Sequence, residues 1–156
     1  RRFSSHRVSR AANRKGIHTM STLRNPSLYA DEGTPAVPGA PALLGIQCRC
    51  GHRAFPPQQR GCEVCGAYGD ALVQILLSGC GRLLASAIVH RHAAAYPRVP
   101  FTVVEVALDD GPVVRGLLHG TAPAGLEPGT MMLTGFETVQ IDGETLRDLR
   151  FLPAEA

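Results

Sequence analysis

Four of the chain's five cysteines fall in one stretch, CRCGHRAFPPQQRGCEVC, from Cys48 to Cys65. They form a C-x-C pair, eleven intervening residues and a C-x-x-C pair. Each pair fits a tight turn, and two such turns facing each other enclose a tetrahedral Zn²⁺. Gly51 and Gly66 directly follow the pairs. A glycine there lets the backbone turn with positive φ and aim amides at sulfur. Four thiolates, with no carboxylate ligand and no open position, describe a structural site rather than a catalytic one. Cys48, Cys50, Cys62 and Cys65 are therefore the expected metal ligands. Other readings stay open at this point: disulfide or redox chemistry, or ligands that are vestigial. A cytoplasmic chain read as having no secretory signal more often uses paired cysteines for metal. The first pair is also one residue shorter than the usual C-x-x-C, which leaves room for His52 to replace one sulfur.

A chain of 156 residues is long enough for one sizeable core, or for a small module attached to one. The cysteine segment alone buries too little apolar surface, so metal must supply on the order of 10 kcal/mol of its folding free energy. No apolar run approaches the ~20 residues that span a bilayer, and the expectation is a soluble, cytoplasmic protein with no membrane partner. The formal charge of +3 is unevenly spread. Residues 1–19 carry five arginines and Lys15 with no acid, whereas from Gly66 onward six arginines face ten acids, a net of −4. The basic character belongs to the tail. Residues 1–19 are expected to be a disordered basic tail, read as upstream sequence ahead of a start at Met20, with a targeting segment or basic arm as the alternatives.

Residues 20–42 read as a proline-rich linker with little structure, because Pro26, Pro35, Pro38 and Pro41 interrupt any helix. A short helical turn near Ser27 to Asp31 fits, capped by Asn25 or Ser27. The ribbon is placed at 43–67, entered by a strand through Leu43, Leu44 and Ile46, with Phe55 covering the apolar side of the metal site. Residues 68–153 then read as strands without a convincing helix. The expected runs are Ala71 to Leu77, Leu83 to His90, Phe101 to Leu108, Val113 to Leu118, Met131 to Ile141 and Leu146 to Leu152. Turns fall at Asp109-Asp110-Gly111-Pro112 and Asp142-Gly143. The Ser78-Gly79-Cys80-Gly81 break suggests a bulge or sharp bend. Five or six strands at such spacing indicate a sandwich or small barrel. A five-stranded OB barrel fits the count, and periodicity alone does not separate it from an SH3-like one. The fold class is mostly β.

Beside these residue-level readings stands a family likeness. The ribbon CRCGHRAFPPQQRGCEVCG, then SGCGRLLAS, then YPRVPFTVVEVALDDGPVVRGLL, then LEPGTMMLTGF resemble the acyl-CoA-associated zinc-ribbon/OB-fold family, domain-of-unknown-function family thirty-five. The resemblance covers residues 43–152. It implies a rubredoxin-like zinc ribbon packed on an OB barrel. It also implies a non-catalytic accessory subunit that partners a thiolase-like aldolase or acyltransferase, or a hydratase acting on acyl-CoA. Similar proteins associate with thiolase-like aldolases in bacterial steroid side-chain breakdown, and in some archaeal assemblies one bridges a thiolase and the next acyl-CoA enzyme. The chain departs from the family pattern in its shorter first cysteine pair and in lacking a clear helical pair before the ribbon.

Independent catalytic machinery is not evident. His90, His92, His119, Glu105, Asp109, Asp110 and Cys80 are the candidates. No Ser/His/Asp order, phosphate loop or open metal site accompanies them. A solvated histidine pair, turn aspartates and a small buried cysteine account for these residues. Nucleic-acid binding, the alternative function, suits zinc ribbons and OB barrels in general. It fits poorly with a barrel region of net −4 and few aromatics. A partner or acyl-CoA contact is expected in AAAYPRVPF, residues 93–101, through Tyr96, Arg98, Pro100 and Phe101. Tyrosine and arginine concentrate interface energy, and Arg91 or Arg98 could meet CoA phosphates by charge. The alternative is that this loop is the barrel's long connection, packing on itself.

Overall fold

A computed structural model describes residues 22–154, and its architecture is almost wholly β. The expectations for the basic tail at 1–19 lie outside the described residues. Ten strands follow in order: β1 (Thr22–Leu23), β2 (Tyr29–Ala30), β3 (Ala42–Cys48), β4 (Arg53–Ala54), β5 (Leu72–Leu77), β6 (Gly81–Val89), β7 (Phe101–Leu108), β8 (Val113–Leu117), β9 (Met131–Ile141) and β10 (Glu144–Pro153). A single 3₁₀ turn, Gly69–Ala71, is the one helical element among the described residues. None of their helices is long and apolar enough to cross a membrane.

The last five strands curl into a partly open barrel. β6 pairs antiparallel with β7 and β7 with β8; β10 pairs with β9, and β9 returns to β6 at Gly81↔Met132 and Arg82↔Met131. A parallel bridge between Leu118 and Phe151 joins the end of β8 to β10, and the His119 amide donates to the Phe151 carbonyl at 2.8 Å. The ring β6–β7–β8–β10–β9 is the OB arrangement, and the parallel closure decides the choice that periodicity left open. Local chemistry explains the strands. β7 alternates half-buried and buried residues along its length, so Thr102, Val104, Val106 and Leu108 face inward. The β9–β10 hairpin turns on Asp142 (φ 51) and Gly143 (φ 85), two successive positive-φ residues as a type I′ turn requires.

A smaller sheet forms around β3. β5 pairs with β3 from Leu43 to Cys48 on one edge, while β2 and β4 share the other. Both sheets contribute to one hydrophobic cluster, in which Tyr29, Leu43 and Leu77 join Leu83, Val104, Val106, Val114, Leu118, Met132 and Phe151.

Two local expectations change. The stretch read as a linker with little structure carries β1, which pairs with β10, and β2, which pairs with β3; Tyr29 is buried, as are Thr34 and Ala40. Its prolines forbid a helix, but β bridges and side-chain burial need none. The run after the ribbon, counted with the barrel, is β5 and belongs to the ribbon's sheet. The Ser78-Gly79-Cys80-Gly81 segment is the crossing from one sheet to the other. A Cβ on Gly79 would run into Thr134, and one on Gly81 into the Ala107 carbonyl. These glycines permit close approach, and the register shift within β6 lies later, between Leu83 and Ala85.

Candidate metal centre and the loop beside the barrel

The end of β3 and the two loops after it bring four sulfurs together. Cys48 is the last residue of β3, and the chain then turns, with the Gly51 amide donating to the Cys48 carbonyl at 2.8 Å. The second pair is built alike: the Gly66 amide donates to the Cys62 carbonyl at 2.8 Å. Gly51 (φ 92) and Gly66 (φ 72) both take the positive φ that these turns require. All four Sγ atoms lie within 4.8 Å of one another. Cys48 and Cys65 are 3.6 Å apart, and Cys50 and Cys62 3.7 Å. A tetrahedron of sulfurs with Zn–S bonds of about 2.3 Å has edges of about 3.8 Å. The sulfurs are too far apart for disulfides, whose S–S length is about 2.05 Å. The shorter first pair still converges with the second.

The four thiols act on one another's ionisation. The Cys65 amide pulls Cys62 down to about 6; burial opposes this, and the Val64 amide adds to it. Cys50 moves the other way, to about 12: the His52 amide favours its thiolate, but the other cysteines and burial outweigh it. Four thiolates at this spacing repel one another unless a metal neutralises them. The four cysteines could hold a metal ion. His52 is directed elsewhere, with Nε2 2.9 Å from Glu63 Oε1. Phe55 sits between this site and the core. It lines a cavity of about 170 Å³ with Cys48, Cys62 and Leu72, and also packs against the hydrophobic cluster.

A second polar constellation lies on β10. Asp148 and Arg150 are 3% and 5% exposed, and their side chains pair at 2.6 Å. The Tyr96 hydroxyl donates to Asp148 Oδ2 at 2.6 Å and accepts from Arg150 Nη2. Arg24 stacks over the Tyr96 ring at 4.6 Å and reaches Asp148 at 3.3 Å; the Tyr29 hydroxyl lies 3.2 Å from Asp148 Oδ1. Burial alone would raise the Asp148 carboxyl, but Tyr96, Arg150 and Arg24 hold it below its ordinary 3.8. Burial, then the bond to Asp148, pushes Tyr96 up to about 12. The β6–β7 connection is thereby tied to β10 through Tyr96. Asp148 and Arg150 were not singled out in the sequence. Their signal is an acid and a base two apart in LRDLRFL, which puts both on one face of a strand.

Around Tyr96 the predicted contact residues separate. Arg98 and Pro100 are exposed, while Phe101 is half-buried and meets His92 edge-on, with centroids 5.4 Å apart. The catalytic candidates are not brought together. His92 Nδ1 lies 3.2 Å from the Ala94 carbonyl, Glu105 accepts from Arg115 at 2.6 Å, and His90 and His119 are exposed. Burial, then Asp109, raises the Cys80 thiol, which lies 3.7 Å from the Met131 sulfur; an activated nucleophile needs the opposite shift. Asp110 joins the two sheets, taking the Ser78 amide on Oδ2 and Arg53 on Oδ1 at 3.4 Å.

No family model matches the chain, and no curated protein matches it. Among solved structures, it is similar to a chain described as "Ltp2-ChsH2(DUF35) aldolase", with a TM-score of 0.56 and 23% identity. The match covers 72% of this chain and 84% of that one. At that identity the likeness is one of fold.

Proposed function

We propose that this protein is a non-catalytic accessory subunit of an acyl-CoA-processing enzyme, a thiolase-like aldolase or acyltransferase or a hydratase, working in the cytoplasm on lipid or steroid side chains. The observation that carries the reading is the joint presence of a four-cysteine ribbon and an OB barrel in the arrangement of a DUF35 chain from an aldolase. Cys48, Cys50, Cys62 and Cys65 would hold a Zn²⁺. With four sulfurs filling its positions, the ion supplies a cross-link between two turns and no Lewis-acid site. The 93–101 loop is the proposed contact. Arg98 and Pro100 present its free side, and Tyr96 holds it in place from behind through Asp148 and Arg150.

The test is capture of partners by the tagged full chain from its native extract, read by mass spectrometry. Recovery of a thiolase-like or hydratase enzyme is expected. Nuclease-sensitive recovery of nucleic-acid machinery would replace this reading with the alternative one. Tyr96→Ala with Phe101→Ala should weaken capture at least about tenfold while zinc stays bound, because the loop that carries Arg98 and Pro100 loses its seat on the barrel. Circular dichroism separates that outcome from damage to the barrel.

A further inference from the structure

We infer that the outer edge of β6, residues 84–89, accepts an added strand from a partner protein whose flanks are acidic, the basic 90–98 loop meeting those flanks. The inference extends the accessory-subunit reading by naming the partner's chemistry, and rests on it only for the partner's being an enzyme.

The edge is laid bare by the register of the barrel. β6 pairs with β9 only at Gly81 and Arg82, and the chain before β9 covers Leu83, with the Leu83 amide bonded to Thr130 and the Gly129 amide to Leu83. Leu84 is the extra residue of the register shift. Beyond it β6 keeps only β7 as a neighbour among the described residues, through Ala85↔Glu105 to Val89↔Phe101. A strand with one edge free presents every second amide and carbonyl to whatever lies alongside. Ala85, Ser86 and Ala87 are exposed; Leu84 and Ile88 are 44% and 57% exposed. Proteins usually guard such edges with lysine, proline or an inward charge. This one has none: Leu83 to Val89 is LLASAIV, and the residues facing outward are small or apolar. An unguarded edge with small side chains is the surface that strand addition uses.

Charge selects the occupant. From Leu83 to Val104 the chain carries no acid, while the loop after β6 carries His90, Arg91, His92 and Arg98, all exposed. Neither Arg91 nor Arg98 has a carboxylate partner among the described residues. A second copy of this edge fits badly. Antiparallel pairing centred on Ser86 would set Arg82 of each copy beside His90 and Arg91 of the other. A nucleic-acid strand would meet the basic loop but gain nothing from the apolar edge. Beside this edge the stacking platforms it needs are also lacking among the described residues, since Tyr96 is held by Asp148 and Arg150 and Phe101 is half-buried. An acidic-flanked protein strand satisfies both the edge and the loop.

The probe is a synthetic peptide of alternating valine and threonine with two glutamates at each end, titrated into the ¹⁵N-labelled full chain. Amide shifts confined to residues 84–89 and the 90–98 loop are expected. A lysine-flanked peptide should bind at least about tenfold more weakly, the scale at which charge complementarity discriminates. Ser86→Lys should abolish binding. Arg91→Glu with Arg98→Glu should reverse the preference between the two peptides, with zinc content and circular dichroism unchanged. Equal affinity for both peptides, shifts elsewhere, or oligothymidine binding at these residues without peptide binding would overturn the inference. Partner capture separates the two readings. Enzyme recovered equally by the native chain and Ser86→Lys refutes the edge and leaves the accessory role standing. Peptide binding at the edge without any recovered enzyme does the reverse.

Discussion

Replacing Tyr96 with phenylalanine removes one oxygen from the most buried polar network of the fold, and its effect can be worked out from the partners. The hydroxyl donates to Asp148 Oδ2 at 2.6 Å and accepts from Arg150 Nη2. Asp148 keeps Arg150 Nη1 at 2.6 Å, with Arg24 and Tyr29 close by, so the carboxylate stays satisfied. Arg150 fares worse. Its Nε has Glu137 at 2.9 Å and its Nη1 has Asp148, but Nη2 would lose its acceptor in a side chain that is 5% exposed. A hydrogen bond to a charged group contributes about 1.5–3 kcal/mol, and a stranded buried donor costs about 1–3, so Tyr96→Phe should destabilise by about 2–3 kcal/mol. The ring itself, with Arg24 stacked on it, is retained. Urea titration with zinc held constant measures the change. The pH dependence adds a second signature. A carboxyl held below 3.8 contributes stability that is present above about pH 4 and lost as pH falls through its lower folded value. Tyr96, raised to about 12, contributes stability that is full below its ordinary 10 and lost as pH rises through 12. In Tyr96→Phe the alkaline loss should vanish and the acid loss shrink, so the two proteins converge at both extremes. A loss under about 0.5 kcal/mol at neutral pH, the scale of an ordinary surface substitution, would refute the network's role.

Three further perturbations test the frame. Cys62→Ser should release the metal and unfold the ribbon, since a structural zinc contributes on the order of 10 kcal/mol; one zinc per chain by elemental analysis, with normal solubility, would contradict the four-cysteine site. Gly79→Ala should destabilise by more than about 1 kcal/mol, because a Cβ there meets Thr134 and φ is +66; a thermal midpoint equal to the native one would show that the crossing tolerates side chains. Phe151→Ala should cost about 3–5 kcal/mol by emptying the barrel where β8 meets β10; calorimetry would refute this with a loss below 1.

Much of this fold is legible because its strands are punctuated by residues with one job. Asp142-Gly143 marks the β9–β10 turn, since two successive positive-φ residues are what a two-residue hairpin needs. Asp109 to Pro112 marks the β7–β8 turn, and the run between Phe101 and Leu108 alternates as a half-buried strand must. The cysteine spacing marks the metal cluster for the same local reason: each pair closes its own turn. The parts that were not legible are those set by distant partners. Nothing near Leu72 to Leu77 in sequence tells whether it will lie in the barrel or on β3, because both places accept the same apolar alternation. Tyr29 sits among prolines that read as a linker, yet it is buried in the core cluster and meets Asp148, well over a hundred residues away.

The same distinction explains how the proposed contact loop is built. A loop rich in proline, with an exposed arginine, reads as either a free surface or a self-packed connection, and residues 93–101 divide the two roles among neighbours. Tyr96 turns back to Asp148 and Arg150, while Arg98 and Pro100 turn out. That division has a physical consequence for binding. A loop anchored at one residue loses less conformational entropy when a partner covers it than a loop with no anchor, so its free side chains can contribute more of their contact energy to affinity. On the proposed contact, Tyr96 would matter to a partner without touching it. Tyr96→Phe should weaken capture less than Tyr96→Ala, because the ring under Arg24 still seats the loop when its hydroxyl is gone. Equal loss of capture in the two variants would place the hydroxyl itself at the interface and overturn the anchoring role.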